Sequence, residues 1–211
     1  MKRKILLSII TILVVMIAFS ISMAKEFEDV PETHWAHEYI SKLSDRGVIS
    51  GYLDGTYRPN NSITRAEFLK LIVTESYSSV PGMDGIFSVP IKEGGKWYDI
   101  YVSLASGANP YDYSGDRVEM PISRIEAASI LDGFCKKFGI SPSGDEEILL
   151  DDLDEFSTVE KEAISNIVRL GLMIGYKDNT FKPLNAMTRA EVATIIYRYS
   201  GLKEAIYEKV D

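Results

Sequence analysis

Apolar residues recur along this chain in short helical stripes, each ended by a glycine and followed by a turn-rich loop. Trp35, Tyr39, Ile40 and Leu43 share one helical face, and Gly47 stands where a left-handed cap would end the helix. Further on, Ser157 and Glu160 have the spacing of a capping box. Val159, Ala163, Ile164, Ile167 and Leu170 form the stripe behind it, and Gly171 ends it. The loops that follow carry Asp54-Gly55 and Asp178-Asn179, residues that accept positive φ, so each predicts a tight turn. A second helix then opens at a Thr/Ser-Arg-x-Glu tetrad. Thr64, Ser123 and Thr188 stand at N-caps, with Glu67, Glu126 and Glu191 three residues later, which predicts three capping boxes. The helices behind the first and last tetrads are apolar nearly all round: Phe68, Leu69, Leu71, Ile72 and Val73 in one, Val192, Ala193, Ile195, Ile196 and Tyr197 in the other. Such helices belong in an interior.

The pattern is a repeat. Residues 47–67 match 171–191 at a constant offset of 124, from Gly47-Val48-Ile49 against Gly171-Leu172-Met173 to Thr64-Arg65-Ala66-Glu67 against Thr188-Arg189-Ala190-Glu191. A worn middle copy lies between them. Trp97 and Tyr101 follow Trp35 and Tyr39 by 62 residues, and Ser123-Arg124-Ile125-Glu126 follows the first tetrad by 59. This copy has Pro110-Tyr111-Asp112-Tyr113-Ser114-Gly115 in place of the Gly-Tyr-x-Asp-Gly-Thr loop. The units are expected at 25–80, 85–139 and 149–200, with a tail at 201–211. One unit cannot bury its apolar face alone, so the three are expected to fold as one mainly α domain around a central three-helix bundle.

The N-terminus bears on compartment. Lys2, Arg3 and Lys4 precede an apolar run from Ile5 to Ile21, and Ser22-Met23-Ala24 places small residues where a signal peptidase reads. Residues 1–24 are read as a cleaved secretory signal. The alternative is an uncleaved membrane anchor, since this run is at the short end of a span. Cleavage removes three positive charges and takes the net charge from −8 to −11. An acidic balance, 31 Asp+Glu against 23 Lys+Arg, excludes a general nucleic-acid binder. A single cysteine, Cys135, excludes an intramolecular disulfide and a cysteine metal site; among Ile130, Leu131, Phe134 and Phe138 it reads as a buried, inert thiol.

No catalytic set stands out. The repeated carboxylates are caps and turns rather than a pair across a cleft. His34 and His37 read as surface-helix residues, and the acidic run Asp145-Glu146-Glu147 with Asp151, Asp152, Asp154 and Glu155 lacks EF-hand spacing. No enzyme activity, cofactor or metal is expected. The Arg of each tetrad is the residue that local structure does not explain. It holds the first helical position, where a cation is disfavoured by about 0.3–1 kcal/mol, yet all three copies have it: Arg65, Arg124 and Arg189. Either the Glu of its own tetrad offsets that cost, or an external anion does, through a bidentate fork that Lys could not reproduce. A second basic column, Arg58, Arg117 and Lys182, reads first as solvated loop charge. Trp35 and Trp97 read first as core anchors, with sugar-stacking platforms as the alternative. Tyr52, Tyr57, Tyr111, Tyr113 and Tyr176 sit in loops and are candidate groove-wall residues.

Taken in order, Phe27-x-Asp29-Val30, His34-Trp35-Ala36, Tyr39-Ile40, Gly47-Val48-Ile49, Gly51-Tyr52-x-Asp54-Gly55-Thr56-Tyr57-x-Pro59 and Ile63-Thr64-Arg65-Ala66-Glu67-Phe68 closely resemble the S-layer homology repeat. The resemblance runs over about 27–199. The third copy keeps Asp152, the loop and the tetrad; the second keeps Trp97, Tyr101, Arg124 and Glu126 and departs elsewhere. It implies a pseudo-threefold, three-pronged domain with grooves between the prongs. It also implies an exported protein of the cell wall that docks on an anionic secondary cell-wall polysaccharide, commonly pyruvylated. The pyruvate carboxylate would meet Arg65, Arg124 and Arg189. Asp29 and Trp35 would stand at the groove wall, and Trp97, Asp152, Tyr52, Asp54 and Tyr176 complete the candidate ligand set. Because the middle copy has lost its loop, Arg124 is expected to matter least. The alternative is a structural or assembly protein of the cell surface that acts mainly through another exported protein. Only Gly201 to Asp211 follow the third unit, so no separate effector domain is expected.

Overall fold

A computed structural model describes residues 26–207, apart from 79, 84, 89, 90, 92, 114 and 145–147. The signal segment and the Asp145-Glu146-Glu147 run lie outside the described residues. Among the described residues there are six α-helices and no strand: α1 (His37–Asp45), α2 (Arg65–Tyr77), α3 (Asp99–Ala105), α4 (Arg124–Lys137), α5 (Thr158–Arg169) and α6 (Arg189–Tyr207), with 3-10 turns at Ile86–Ser88 and Gly115–Glu119. None of these helices is long and apolar enough to cross a membrane.

Each tetrad opens its helix as the spacing predicts. Glu67 accepts from the Thr64 N–H at 2.9 Å and Thr64 Oγ1 accepts from the Glu67 N–H at 3.2 Å. Ser123 and Glu126 do the same at 2.9 and 3.4 Å, and Thr188 and Glu191 at 2.8 and 3.2 Å. The Ser157–Glu160 box also forms, and Gly47 and Gly171 close their helices at φ 71° and 68°.

The three tetrads meet head to head. Just before each, one residue donates a backbone hydrogen bond to the next around a closed triangle: Ile63 N–H to Met187 O at 3.0 Å, Met187 N–H to Ile122 O at 2.9 Å, and Ile122 N–H to Ile63 O at 3.0 Å. The N–H of each tetrad Arg, an orphan of a helix first turn, is satisfied from the neighbouring unit. Arg65 donates to Met120 O, Arg124 to Asn185 O and Arg189 to Asn61 O, all at 2.9–3.0 Å. Behind this junction α2 packs on α4 and α6 as the centre of the domain. Each inner helix also packs on the first helix of the following unit: α2 on α3, α4 on α5, and α6 back on α1. The first unit thus closes the ring that the last one leaves open.

Some details differ from the sequence expectation. Helix α1 starts at His37, after an Ala36 cap whose N–H is accepted by His34 Nδ1 at 3.1 Å. Trp35 therefore precedes the helix and is 59% exposed, and Trp97, just before α3, is 43% exposed. The core-anchor reading of both is overturned: neither lies on the buried stripe, which Ile40 and Leu43 supply in α1 and Tyr101 and Ala105 in α3. Val159 is likewise exposed, since it falls on the outer side of the Ala163–Ile164–Ile167 face of α5. Helix α6 continues to Tyr207, so residues 201–207 of the expected tail are helical. Cys135 is buried, and burial pushes its thiol up to about 12, as an inert thiol requires.

Two features of the core had no counterpart in the apolar pattern. Gly133 lies inside α4 because a Cβ there would come within 2.0 Å of Ala108 O. At the C-terminal end of α2, Glu75 is buried among cations. It pairs with Arg46 at 3.1 Å and Lys203 at 3.7 Å, while the Lys203 ammonium donates to the Glu75 carbonyl and to Ser78 Oγ. Desolvation lowers the Lys203 pKa, an effect the Glu75 charge opposes. Arg46 also donates to Ser200 Oγ at 2.8 Å. This cluster ties α1, α2 and α6 together where the ring closes. Replacing Glu75 by Ala leaves the buried Lys203 without its paired carboxylate and Arg46 with only Glu204 at 3.6 Å, and should destabilise the fold by about 3 kcal/mol, read as a fall in the urea midpoint. Gly133→Ala should also destabilise, despite the better helix former, because the added methyl meets backbone rather than a side chain that can move.

Candidate functional site

The ring decides what each tetrad Arg faces: the loop of the following unit. Arg189, from unit three, donates through Nε to Tyr57 O at 2.9 Å and through Nη2 to Ser50 O at 3.4 Å, both in the loop of unit one. Its Nη1 lies 3.6 Å from Glu67 of that unit. Arg124, from unit two, repeats this on unit three, donating to Phe181 O at 2.7 Å and Ile174 O at 2.9 Å, with Nη1 3.9 Å from Glu191. Tyr57 and Phe181, and Ser50 and Ile174, are equivalent positions under the 124-residue offset. Aromatic faces complete both cradles. The Arg189 guanidinium lies 4.6 Å from the Tyr57 ring and 5.1 Å from Tyr52, and that of Arg124 lies 4.7 Å from Phe181 and 5.0 Å from Tyr176. The offsetting carboxylate is thus real, but it belongs to the next unit's tetrad, not to the Arg's own.

Each of these two guanidinium groups lines an open cleft. The Arg189 cleft holds about 210 Å³ between the Val48–Tyr52 loop and Glu67, Lys70 and Leu71 of α2. The Arg124 cleft holds about 240 Å³ between the Leu172–Tyr176 loop, Glu191, Thr194, Ile195 and Arg198 of α6, and Trp35.

Arg65 lines neither. It faces the middle unit, whose loop is altered, and it closes onto Glu126 in a two-pronged pair, Nε to Oε1 at 2.9 Å and Nη2 to Oε2 at 3.0 Å. Its Nη1 donates to Arg117 O, and Tyr113, stacked on Tyr111, lies beneath it at 5.4 Å. The degraded loop therefore removes the partner of Arg65, not of Arg124. Sequence order suggested the reverse because each loop and tetrad were taken as one site.

The remaining candidates fall into two groups. Tyr52, Tyr57 and Tyr176 line the clefts, and Trp35 lines the second; Trp97 lines neither and packs on Tyr98 and Tyr101. The acids support the loops. Asp29 accepts from the Tyr57 and Arg58 N–H groups, each at 2.7 Å, and Asp152 accepts from Phe181 and Lys182 at 2.8 and 2.7 Å. These bonds hold Arg58 and Lys182 at φ 59° and 55°, a conformation costly for residues with a Cβ. Asp54 accepts from the Thr56 hydroxyl at 2.6 Å and pairs with Arg58 at 2.8 Å, which holds its carboxyl down at about 2. The basic column is exposed loop charge with a further contact: Arg58 covers the Tyr52 ring at 3.9 Å and Lys182 the Tyr176 ring at 4.0 Å. Among the described residues no group of His, Cys, Asp and Glu is arranged to hold a metal ion.

Lys70 and Arg198 were not anticipated from sequence. Lys70 had a signal: beyond Arg65 it is the one basic residue on α2. Arg198 had none that distinguished it from a surface cation.

The S-layer homology domain model matches residues 26–69 and 150–193, the first and third units. The exoglucanase XynX of Acetivibrio thermocellus is 30% identical over 177 residues, 81% of this chain and 16% of the relative. The S-layer protein EA1 of Bacillus anthracis is 26% identical over 89% of this chain and 21% of its own length, and the cellulosome-anchoring protein of A. thermocellus 28% over 81% and 38%. The chain thus spans well under half of these relatives. It carries S-layer homology segments on a mainly helical fold and is a secreted protein of the cell surface.

Since Arg65 serves the junction, Arg65→Ala should lower stability by about 2 kcal/mol, the cost of leaving the half-buried Glu126 carboxylate short of a partner. Denaturant unfolding reads it; an unchanged midpoint would show that the pair contributes nothing.

Proposed function

We propose that this chain is a non-covalent cell-wall anchoring module that binds a secondary cell-wall polysaccharide bearing ketal-linked pyruvate in the Arg124 and Arg189 clefts. The observation that carries this reading is a guanidinium held at an open cleft by two carbonyls of the next unit, twice over. Those carbonyls fix the fork, and the nearby Glu stands at 3.6 and 3.9 Å, beyond a tight ion pair. A guanidinium has five N–H donors, so a ligand carboxylate can be taken up without dismantling the cradle. Arg65 has the edge of its fork closed on the Glu126 carboxylate at 2.8 Å and a third donor on Arg117 O, so a ligand carboxylate would have to displace Glu126 to take that edge. The relatives named above, a surface-layer protein, a cellulosome-anchoring protein and an exoglucanase, support surface anchoring as the shared property of a segment common to such different proteins. The segment itself is read as non-catalytic, since its repeated carboxylates are occupied as caps and loop clamps.

A chain of net charge −8 binds an anionic polymer only through local contacts. At wall ionic strength, charges beyond about 10 Å are screened, so a few desolvated Arg–carboxylate contacts decide affinity. Free pyruvylated sugar should compete, and a generic polyanion such as heparin should not.

Co-sedimentation with purified sacculi tests the assignment. Arg189→Ala and Arg124→Ala should each weaken binding by about tenfold or more, the scale of one charged hydrogen-bonded contact, and Arg65→Ala should retain it once folding is verified. Full retention on walls stripped of the polysaccharide would instead favour anchoring through a protein partner.

A further inference from the structure

The Arg189 and Arg124 clefts share a frame but differ at the rim, and we propose that the rims add chemically different contacts to one polymer: an acidic sugar gains Lys70 beside Arg189, while beside Arg124 a neutral sugar face rests on Trp35 and Ile174. This rests on the polysaccharide reading above.

The comparison is position by position, because α2 and α6 wall the two clefts in the same register. Gly51 and Gly175, Tyr52 and Tyr176, and Glu67 and Glu191 are equivalent and line both. Three equivalences break the likeness: Ser50 against Ile174, Lys70 against Thr194, and Thr74 against Arg198. In the first cleft Lys70 is exposed on α2 and takes part in no hydrogen bond or ion pair among the described residues. An ammonium with three donors at the rim of a cleft already holding a guanidinium is a second contact for an anionic ligand. Glu67 opposes it, but that carboxylate is engaged with the Thr64 N–H and lies 3.6 Å from Arg189.

In the second cleft the Lys position is Thr194, whose hydroxyl donates to Ala190 O of its own helix at 3.0 Å. The second cation, Arg198, donates to Gly171 O and Leu172 O at 3.3 and 3.4 Å, just past the C-terminus of α5, where a cation stabilises the helix end. It is engaged in structure as Lys70 is not. What the second cleft exposes is apolar: Ile174 at 64% and Trp35 at 59%. A broad indole beside an aliphatic side chain suits the C–H face of a sugar ring and adds no contact to a carboxylate taken up by Arg124. The rim partners follow: a further carboxylate contact on one side, an uncharged pyranose face on the other.

The test uses the full chain and one purified wall polysaccharide in two forms, native and stripped of its acid-labile ketal groups by mild acid. Affinity is measured by titration calorimetry for wild type, Lys70→Thr and Trp35→Ala. Both substitutions are at exposed positions, and thermal melting verifies their folding. Lys70→Thr should weaken binding of the native polymer about tenfold and leave the stripped polymer unchanged, while Trp35→Ala should weaken both about equally, by a similar factor. An equal effect of Lys70→Thr on both forms, no effect of it on the native form, or an effect of Trp35→Ala on the native form alone overturns the division of labour. A wild-type chain that binds neither form overturns the anchoring reading itself, so the two failures are told apart.

Discussion

A guanidinium at the first position of a helix is a cation at the wrong end of a dipole, and in this molecule only the neighbouring unit can make it acceptable. Arg189 and Arg124 each hand two donors to carbonyls of the next loop, and Arg65 pairs with the next capping-box Glu. The backbone triangle of Ile63, Ile122 and Met187 locks the three helix starts in the same sense. No unit satisfies its own Arg, so the ring is a condition of folding rather than a way of packing finished pieces. The cooperativity expected from shared apolar faces is reinforced by polar groups that have no partner until the ring closes.

That arrangement also builds the site. The contacts that neutralise Arg189 hold it rigid against a loop, and the space between that loop and the following inner helix is the cleft. Because the ordering of that side chain is part of folding, a group entering the cleft would meet a guanidinium already oriented. Asp29 and Asp152 belong to the same economy of parts. Each uses both oxygens to pin two successive N–H groups of a loop whose Arg58 or Lys182 sits at positive φ. In the middle unit the counterpart of Asp29 under the 62-residue offset is Ile91, and the loop is absent too. The clamp and the loop it clamps are lost together.

Much of this was legible in the sequence, and what was not has physical reasons. Capping boxes and glycine caps are local, so Thr64–Glu67, Ser123–Glu126, Thr188–Glu191, Gly47 and Gly171 could be read directly. Trp35 was misplaced on the buried stripe because helical periodicity does not mark a helix start, and the cleft it lines is walled by α6, far along the chain. Glu75 was invisible for the same reason: a charge in an apolar helix is tolerable only beside Arg46 and Lys203, which come from two other elements. Asp29 was recognisable as a motif residue, yet its role as a loop clamp depended on a turn 28 residues away.

The hardest matter to read was which Arg serves which loop, and it resolves the odd survival of the middle tetrad. Sequence presents the units in a line, so a unit that has lost its loop looks expendable together with its Arg. In the ring, the middle tetrad belongs to its neighbours on both sides. Glu126 receives Arg65 of unit one, and Arg124 reaches forward to complete the cleft of unit three. The middle loop can go because only Arg65 faces it, and Arg65 settles on Glu126 instead. The middle Arg cannot go on the same terms, because the Phe181 and Ile174 carbonyls it serves lie in a unit that kept its loop. One altered loop thus turns one junction into a closed Arg65–Glu126 pair and leaves the Arg124 and Arg189 clefts in place.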